Sequence, residues 1–261
     1  MNISIISYAF HGLQKAGQMD VFGYLESVRY RYDLRAADLW SGTLASTDEG
    51  YIRKVKDALE ERELELVCLA VDGAHCWDPD PARREQLYQN AVAHLRAAEI
   101  LGAKTVRIDM GSRTPEMTEE QFDFTVSRYR EYARRAHDHG YRVGPENHFG
   151  PALVPENMKR VYEAVDSPAF GFLLHIGHWV EGREDEGDRM AAPLAFHSHV
   201  PYYIAETSAL EAKMDALRQA GYQGYWGLEH YTGQNEYAEV AIQLARVRDI
   251  LQRWRSVMRD P

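Results

Sequence analysis

The chain repeats one pattern eight times: a short apolar or β-branched run, a turn, and a longer segment whose apolar residues recur at helical spacing. Segments such as EGYIRKVKDALEERE predict the helices, and Gly102, Gly140 and Gly221 stand where three of them should end. The predicted strands are ISIISY from Ile3, YDLRAADL from Tyr32, LELVCLAV from Leu64, KTVRIDM from Lys104, YRVGPEN from Tyr141, AFGFLLHI from Ala169, PLAFHSHV from Pro193 and YWGLEHY from Tyr225.

Strict alternation of strands and helices favours a parallel sheet, and eight such units in 261 residues favour closure of that sheet into a barrel. We therefore predict an α/β fold, a single (β/α)8 TIM barrel, with residues 1–261 forming one domain. No GxGxxG follows the first strand, which argues against a dinucleotide-binding fold. The most polar insertion, EGREDEGDRM from Glu181, is predicted to be a solvated loop or short helix beside the barrel mouth.

The composition of the chain limits the kinds of binding partner and the cellular location that we expect. The formal net charge is -10 and no basic run is present, so nucleic acids are not expected to bind. No stretch of about 18 apolar residues predicts a membrane span, and the N-terminus lacks the basic segment of a signal peptide, so we expect a cytoplasmic protein. Cys68 and Cys76 are predicted to be free thiols, because two cysteines make no disulfide framework.

The chemistry concentrates at strand ends, where the active site of a parallel barrel forms. The last four predicted strands each finish with a potential metal ligand: Glu146 in GPENH, His175 in LLHIGH, His199 in FHSHV and Glu229 in GLEHY. A lone strand-end Glu is more often a surface carboxylate, but four such ends together favour a site. Two carboxylates and two imidazoles suit Mn, Co, Fe, Zn or Ni better than Mg. We expect one divalent ion, with Mn as the first choice.

Three histidines near these ligands have two interpretations each. His148, two residues beyond Glu146, is either an added catalytic base or a loop histidine. His178 follows His175 by three residues and is a candidate for binding substrate or for orienting a ligand. His197 faces the same side of its strand as His199 but one layer deeper, so it either supports a ligand from below or is a core histidine, and it is also a candidate for substrate binding.

Other candidates for substrate binding are aromatic and basic residues near the predicted mouth. Trp77 and Trp179 are the aromatic candidates for substrate binding, and Arg113 in GSRTP is the basic candidate. No motif in the sequence specifies a phosphate site. Aromatic residues at loop ends more often pack than bind. The full aromatic set near the mouth includes Tyr8, Phe10, Trp40, Trp77, Phe149, Trp179, Tyr202 and Tyr203.

With these strand ends, the sequence resembles the sugar phosphate isomerase/epimerase superfamily, also called the xylose isomerase-like TIM barrels. Its members include ketose 3-epimerases, inosose dehydratases and, more distantly, endonuclease IV. The family pattern is a Glu after the fifth strand, Asp-x-x-His after the sixth, His-x-His on the seventh and a Glu after the eighth. This chain meets it with Glu146, His175 to His178, His197 to His199, and Glu229. His175 stands where relatives usually have Asp.

The resemblance implies that Glu146 and Glu229 bind the metal and move a proton on either side of a carbon next to a metal-polarised carbonyl, with His148 as an added base. We therefore expect an isomerase or epimerase acting on a sugar or keto-sugar. A lyase that uses the same proton abstraction for β-elimination is the alternative, of the inosose dehydratase or 3-oxo-glycoside-cleaving type. Enzymes of the last type work with a small partner subunit, and a homo-oligomer is equally compatible with the sequence.

Two further classes of function are more remote. An endonuclease IV-like phosphodiesterase needs a three-metal cluster, for which only His75 and Asp109 are plausible extra ligands, and the acidic charge opposes DNA binding. A barrel that merely binds a sugar or a protein partner requires that no metal be held.

Overall fold

Eight parallel strands close into a ring, as the sequence predicted. The structure is a computed structural model and describes residues 2–257. Pairing runs in the orders β1-β8-β7-β6 and β2-β3-β4-β5, and bridges at Ile6–Asp38 and Val143–Phe170 join the two runs into one barrel. The strands are β1 (Ile3–Ile5), β2 (Ala36–Trp40), β3 (Glu65–Val71), β4 (Thr105–Ile108), β5 (Arg142–Gly144), β6 (Phe172–His175), β7 (Ala195–Pro201) and β8 (Trp226–Glu229).

Helices surround this ring and bury their apolar sides against it. In the third helix, Ile52, Val55 and Leu59 are buried at helical spacing while the intervening charged residues face solvent. None of the helices within residues 2–257 is long and apolar enough to cross a membrane. The helices are α1 (His11–Lys15), α2 (Val21–Glu26), α3 (Glu49–Glu61), α4 (Pro81–Leu101), α5 (Glu119–His139), α6 (Pro155–Val165), α7 (Glu184–Ala191), α8 (Tyr202–Ala205), α9 (Leu210–Gln219) and α10 (Glu236–Val257).

The predicted helix ends are found where glycines permit a left-handed turn. Gly102 ends α4 with φ 72° and Gly140 ends α5 with φ 76°, a backbone conformation that costs little without a Cβ. Gly221, with φ 102°, follows the last turn of α9. Each glycine lets the chain turn back toward the next strand.

The polar insertion from Glu181 was predicted to be solvated, and the structure corrects this in one respect. It forms α7, whose Asp188 is buried and accepts hydrogen bonds from the backbone N–H of Gly177 and the indole N–H of Trp179, both at 2.9 Å. The insertion therefore holds the loop that follows β6.

A close approach of backbones joins β5 to β6. The Val143 N–H donates to the Ala169 carbonyl at 2.9 Å, and a Cβ on Gly144 would lie 1.8 Å from the Gly171 carbonyl oxygen. Only glycine fits at position 144 without moving the neighbouring chain. This contact sets the carboxyl ends of β5 and β6, which carry Glu146 and His175, side by side.

We therefore expect Gly144→Ala to lower the free energy of unfolding by about 1–3 kcal/mol, because the added methyl group overlaps backbone atoms. Urea unfolding followed by circular dichroism measures this change. Gly50→Ala is the matched control: nothing lies within 4 Å of its added Cβ, and the site is helical. That variant should be as stable as the parent, or up to about 1 kcal/mol more stable. Equal stability of the Gly144→Ala variant and the parent would contradict the packing argument.

Candidate metal centre

Four side chains from the last four strands meet at the carboxyl end of the barrel. The His175 Nδ1 atom lies 3.1 Å from Glu146 Oε1 and 3.2 Å from Glu229 Oε2. The His199 Nδ1 atom lies 3.1 Å and 3.5 Å from the same two oxygens. Each residue offers one atom to a group whose members all lie within 4.8 Å of one another. The strand ends identified in the sequence thus converge.

The donor set fits a transition-metal ion. Ligand atoms that share one cation at about 2.1 Å lie roughly 3.0–3.4 Å apart, close to the separations in this cluster. The Glu229 Oε2 atom is buried and has no hydrogen-bond partner among the described residues, which is costly for a carboxylate oxygen without a cation. Two carboxylates would also cancel the charge of one dication. Glu146, His175, His199 and Glu229 are therefore the residues that would hold it.

Burial and charge act in opposite directions on the ligands. Burial alone would raise the pKa of Glu146, but the charge of His199 and the hydrogen bonds from His175 and His199 outweigh it and hold this pKa well below its usual value. Burial would likewise lower the pKa of His199, and the negative charges of Glu229 and Glu146 raise it instead. Glu146 is consequently an anion over the whole neutral range.

Asn147 fixes the turn that carries two of the predicted site residues. Its side-chain amide donates to the carbonyls of His175 at 2.8 Å and His178 at 2.9 Å, and its Oδ1 accepts from the His175 N–H at 2.7 Å. Both ends of the His175–His178 turn are thereby attached to β5. The sequence analysis missed Asn147, although a polar residue inside the GPENH strand end was a usable signal.

Below the cluster, His197 is completely buried and does not reach the opening. Its Nε2 lies 2.8 Å from the Oδ2 of Asp38, which also accepts from the Ser4 hydroxyl. A Cβ on Gly227 would lie 2.7 Å from the same His197 nitrogen, so the absence of a side chain there permits this packing. The His197 ring lies 5.6 Å from the His199 ring and has no exposed surface, which agrees with the interpretation that places it one layer deeper than His199.

Beside the cluster, His148 is paired with Asp109. The His148 Nδ1 lies 3.2 Å from Asp109 Oδ2, and the side chain is 40% exposed toward the opening. Burial would lower the pKa of His148, but the hydrogen bond to Asp109 and the charges of Glu146 and Asp109 raise it to about 9. The structure thus brings His148 next to the predicted ligands and adds an orienting carboxylate.

His178 lies on the other side of His175 and has the opposite electrostatic character. The ring centres of His178 and His175 are 4.8 Å apart, and those of His178 and His148 are 6.5 Å apart. Burial, followed by the charge of His175, lowers the pKa of His178 to about 4. It is a neutral imidazole at neutral pH, able to donate or accept one hydrogen bond at the mouth.

Aromatic rings lie at the rim on the side of β7 and β8. The Tyr203 ring is nearly parallel to the His175 ring, with centres 6.3 Å apart, and Tyr231 is 6.2 Å from Tyr203. Both tyrosines are more than two-fifths exposed. Tyr8 follows β1, and its ring stacks on the His11 ring with the centres 4.5 Å apart; burial and then the charges of Glu229 and Asp72 raise its pKa.

Of three further residues predicted to bind substrate, two are buried and one is exposed. Trp77 is buried against the Phe124 ring, with the Arg84 guanidinium 4.5 Å from its centre. Trp179 is buried under α7 and donates to Asp188. Arg113 is exposed in the loop between β4 and α5. The two indoles pack because burying their large apolar surface is more favourable than exposing it at the mouth.

The fold and this donor set define the class of protein. Residues 31–250 match the sequence model of the family described as xylose isomerase-like TIM barrel, which covers most of the chain. The chain belongs to this family, which confirms the resemblance drawn from the strand ends. Comparison with curated protein sequences gave no significant match.

Solved structures agree on the fold. An L-ribulose 3-epimerase superposes with a TM-score of 0.78 at 15% identity, covering 99% of this chain and 98% of the other. A 3-keto-D-glucoside 4-epimerase from E. coli gives 0.77 at 17% identity, covering 95% and 99%. A probable 3-DHS dehydratase from Bacillus anthracis gives 0.73 at 13% identity, covering 95% and 99%. These neighbours are enzymes, and at such identities they establish the shared fold alone.

If His175 is a ligand, His175→Ala should weaken binding of Mn²⁺ by roughly tenfold or more, because one donor is lost with no replacement. His175→Asp should keep a ligand and bind the ion well, with a preference shifted toward harder cations. Calorimetric titration of metal-free protein measures both. His137→Ala, an exposed histidine on α5, is the matched control and should leave affinity unchanged. Equal affinities of the parent protein and of both His175 variants would remove this residue from the ligand set.

Proposed function

We propose that this protein is a metal-dependent isomerase or epimerase that acts on a sugar or keto-sugar by removing a proton next to a carbonyl. The observation that carries the proposal is the meeting of two carboxylates, Glu146 and Glu229, on the same pair of imidazoles. Structural neighbours named as sugar epimerases support the substrate class.

The bound ion, for which we propose Mn²⁺, would polarise the substrate carbonyl and stabilise the negative charge that develops on its oxygen after deprotonation. Glu146, His175, His199 and Glu229 would hold it. Proton transfer itself falls to the protein, which must place a base within hydrogen-bond reach of the carbon acid.

The two glutamates differ in how freely they can accept a proton. Glu146 Oε1 faces the histidine pair and its Oε2 lies 3.2 Å from Arg107 Nε, so both oxygens are engaged. Glu229 presents only its Oε2 to the histidines, and its side chain is partly exposed at the mouth. We infer that Glu229 takes the proton from the face of the substrate nearest β8. His148, which lies beside Glu146 and whose pKa is raised to about 9, returns a proton from the other face, which inverts the carbon.

Substrate orientation would come from groups around the mouth. The neutral His178 imidazole can hydrogen bond a sugar hydroxyl, and the Tyr203 ring can pack on an apolar sugar face. These groups suit a small polyhydroxy ketone rather than a phosphate ester.

A lyase is the second candidate, favoured by the His148–Asp109 pair. Removal of a proton α to a ketone leaves an electron pair that can expel a group from the β carbon. Protonated His148 can supply the proton that the departing oxygen needs, so the products are an unsaturated ketone and water or an alcohol. One structural neighbour is named as a probable dehydratase, so a protein of the same fold is associated with an elimination reaction.

A panel of ketoses and 3-oxo-glycosides, assayed with Mn²⁺, tests the proposal and separates the two outcomes. An epimerase conserves the mass of the substrate, whereas a lyase releases water or an alcohol, and mass spectrometry distinguishes them. No turnover of any carbonyl sugar by the metal-loaded protein would contradict both.

With the active substrate in hand, Glu146→Gln and Glu229→Gln should each reduce kcat by at least roughly a hundredfold, because an amide cannot accept a proton and is a poor ligand. Rates are measured at saturating Mn²⁺ so that lost affinity for the ion does not account for the loss. Glu120→Gln, on the exposed side of α5, is the control and should retain the parent rate. Near-normal rates in both site variants would show that the proton moves through other groups.

A further inference from the structure

Arg107 is a buried cation that touches the candidate metal centre. It extends from β4, with its side chain 5% exposed. Its Nη1 lies 2.9 Å from both Asp72 Oδ1 and Asp109 Oδ2, and its Nε lies 3.2 Å from Glu146 Oε2. Three carboxylates therefore surround one guanidinium, and such a group keeps its positive charge at every relevant pH.

The same carboxylates belong to a second group of potential ligands. Asp109, Glu146 and His148 each offer an atom within 4.8 Å of the others, and Glu146 is shared with the first group. A carboxylate that bridges two such groups is the usual arrangement when two divalent ions sit side by side. Here the oxygens that face away from the first group, Glu146 Oε2 and Asp109 Oδ2, are both directed at Arg107.

We propose that Arg107 takes the place of a second divalent cation and limits this centre to one metal ion per chain. The inference rests on the metal centre proposed above and concerns its stoichiometry. In the wild-type protein the guanidinium donates a hydrogen bond to Asp109 Oδ2 and forms an ion pair with Glu146 Oε2, and its fixed charge repels any second dication from the adjacent histidine. The remaining Asp109 oxygen accepts from the Glu146 N–H at 3.4 Å, so it is engaged as well.

Charge balance supports this arrangement. Four carboxylates, those of Asp72, Asp109, Glu146 and Glu229, lie in or beside the two groups, and Arg107 with one dication supplies three positive charges against them. A second dication beside Arg107 would give this group of side chains a net positive charge, which is unfavourable where the groups are largely buried. Removal of Arg107 would instead leave the three neighbouring carboxylates without their cation. Loss of the guanidinium should therefore create affinity for a second ion.

The same contacts bear on the remote phosphodiesterase interpretation, which needed Asp109 and His75 as additional ligands. Asp109 is committed to Arg107 and His148. His75 belongs to none of the potential ligand groups among residues 2–257, and its ring instead meets that of Phe149. A centre of three ions would require Arg107 to leave.

The test counts Mn²⁺ ions on the purified full chain by equilibrium dialysis and elemental analysis. Wild type and Arg107→Lys should bind about one ion, and Arg107→Ala should approach about two. Adding His148→Ala to the Arg107→Ala protein should return the count to about one. Arg142→Ala is the matched control, because Arg142 is a half-buried strand arginine that bonds the Phe170 carbonyl and should leave the count at one.

Low-temperature electron paramagnetic resonance gives an independent readout, since two Mn²⁺ ions that share a carboxylate are magnetically coupled and a single ion is not. Coupled spectra from the Arg107→Ala protein alone would support the proposal. Should that variant fail to fold, Arg107→Met removes the charge while keeping most of the volume, and the same count applies to it. One ion on folded Arg107→Ala or Arg107→Met protein, or two on wild type, would overturn the inference while leaving the proposed function intact. No ion on wild type would overturn both.

Discussion

The site depends on one buried carboxylate, that of Glu146, which lies between a pair of imidazoles on one side and a guanidinium on the other. Its Oε1 faces the imidazoles of His175 and His199, and its Oε2 faces Arg107. A buried carboxylate without such partners would take up a proton or destabilise the fold. Because both oxygens are engaged from different strands, Glu146 couples the end of β4 to the ends of β6 and β7.

Rigid supports set the geometry of the remaining ligands. Asn147 holds both ends of the His175–His178 turn, and buried Asp188 holds Gly177 within it. Below, the Asp38–His197 contact supports the strand that carries His199. Side chains held by packing and hydrogen bonds lose little entropy when an ion or substrate arrives, so they are suited to precise proton transfer. The freer groups, Glu229 and Tyr203, lie at the mouth.

Much of this centre was predictable because strand ends are visible as a pattern in the chain. The alternation of runs placed Glu146, His175, His199 and Glu229 at adjacent ends, and parallel pairing required them to meet. The partners of these ligands were not predictable, because Asp38 and His197 lie 159 residues apart and Arg107 and Glu146 lie on different strands. The packing of Trp77 and Trp179 could not be predicted, because an indole at a loop end looks the same in sequence whether it faces the mouth or packs under a helix.

The two glutamates, which the family pattern presents as equivalent, differ in their surroundings, and the difference bears on the chemistry. The charge of His199 and the hydrogen bonds from His175 and His199 lower the pKa of Glu146, while Glu229 has fewer partners and is partly exposed. An epimerisation needs a proton donor on the face opposite the base, and an elimination needs one near the leaving group. His148, fixed by Asp109 next to Glu146, can serve in either position. The outcome therefore depends on where the substrate places its leaving group relative to His148, not on a change in the ligands.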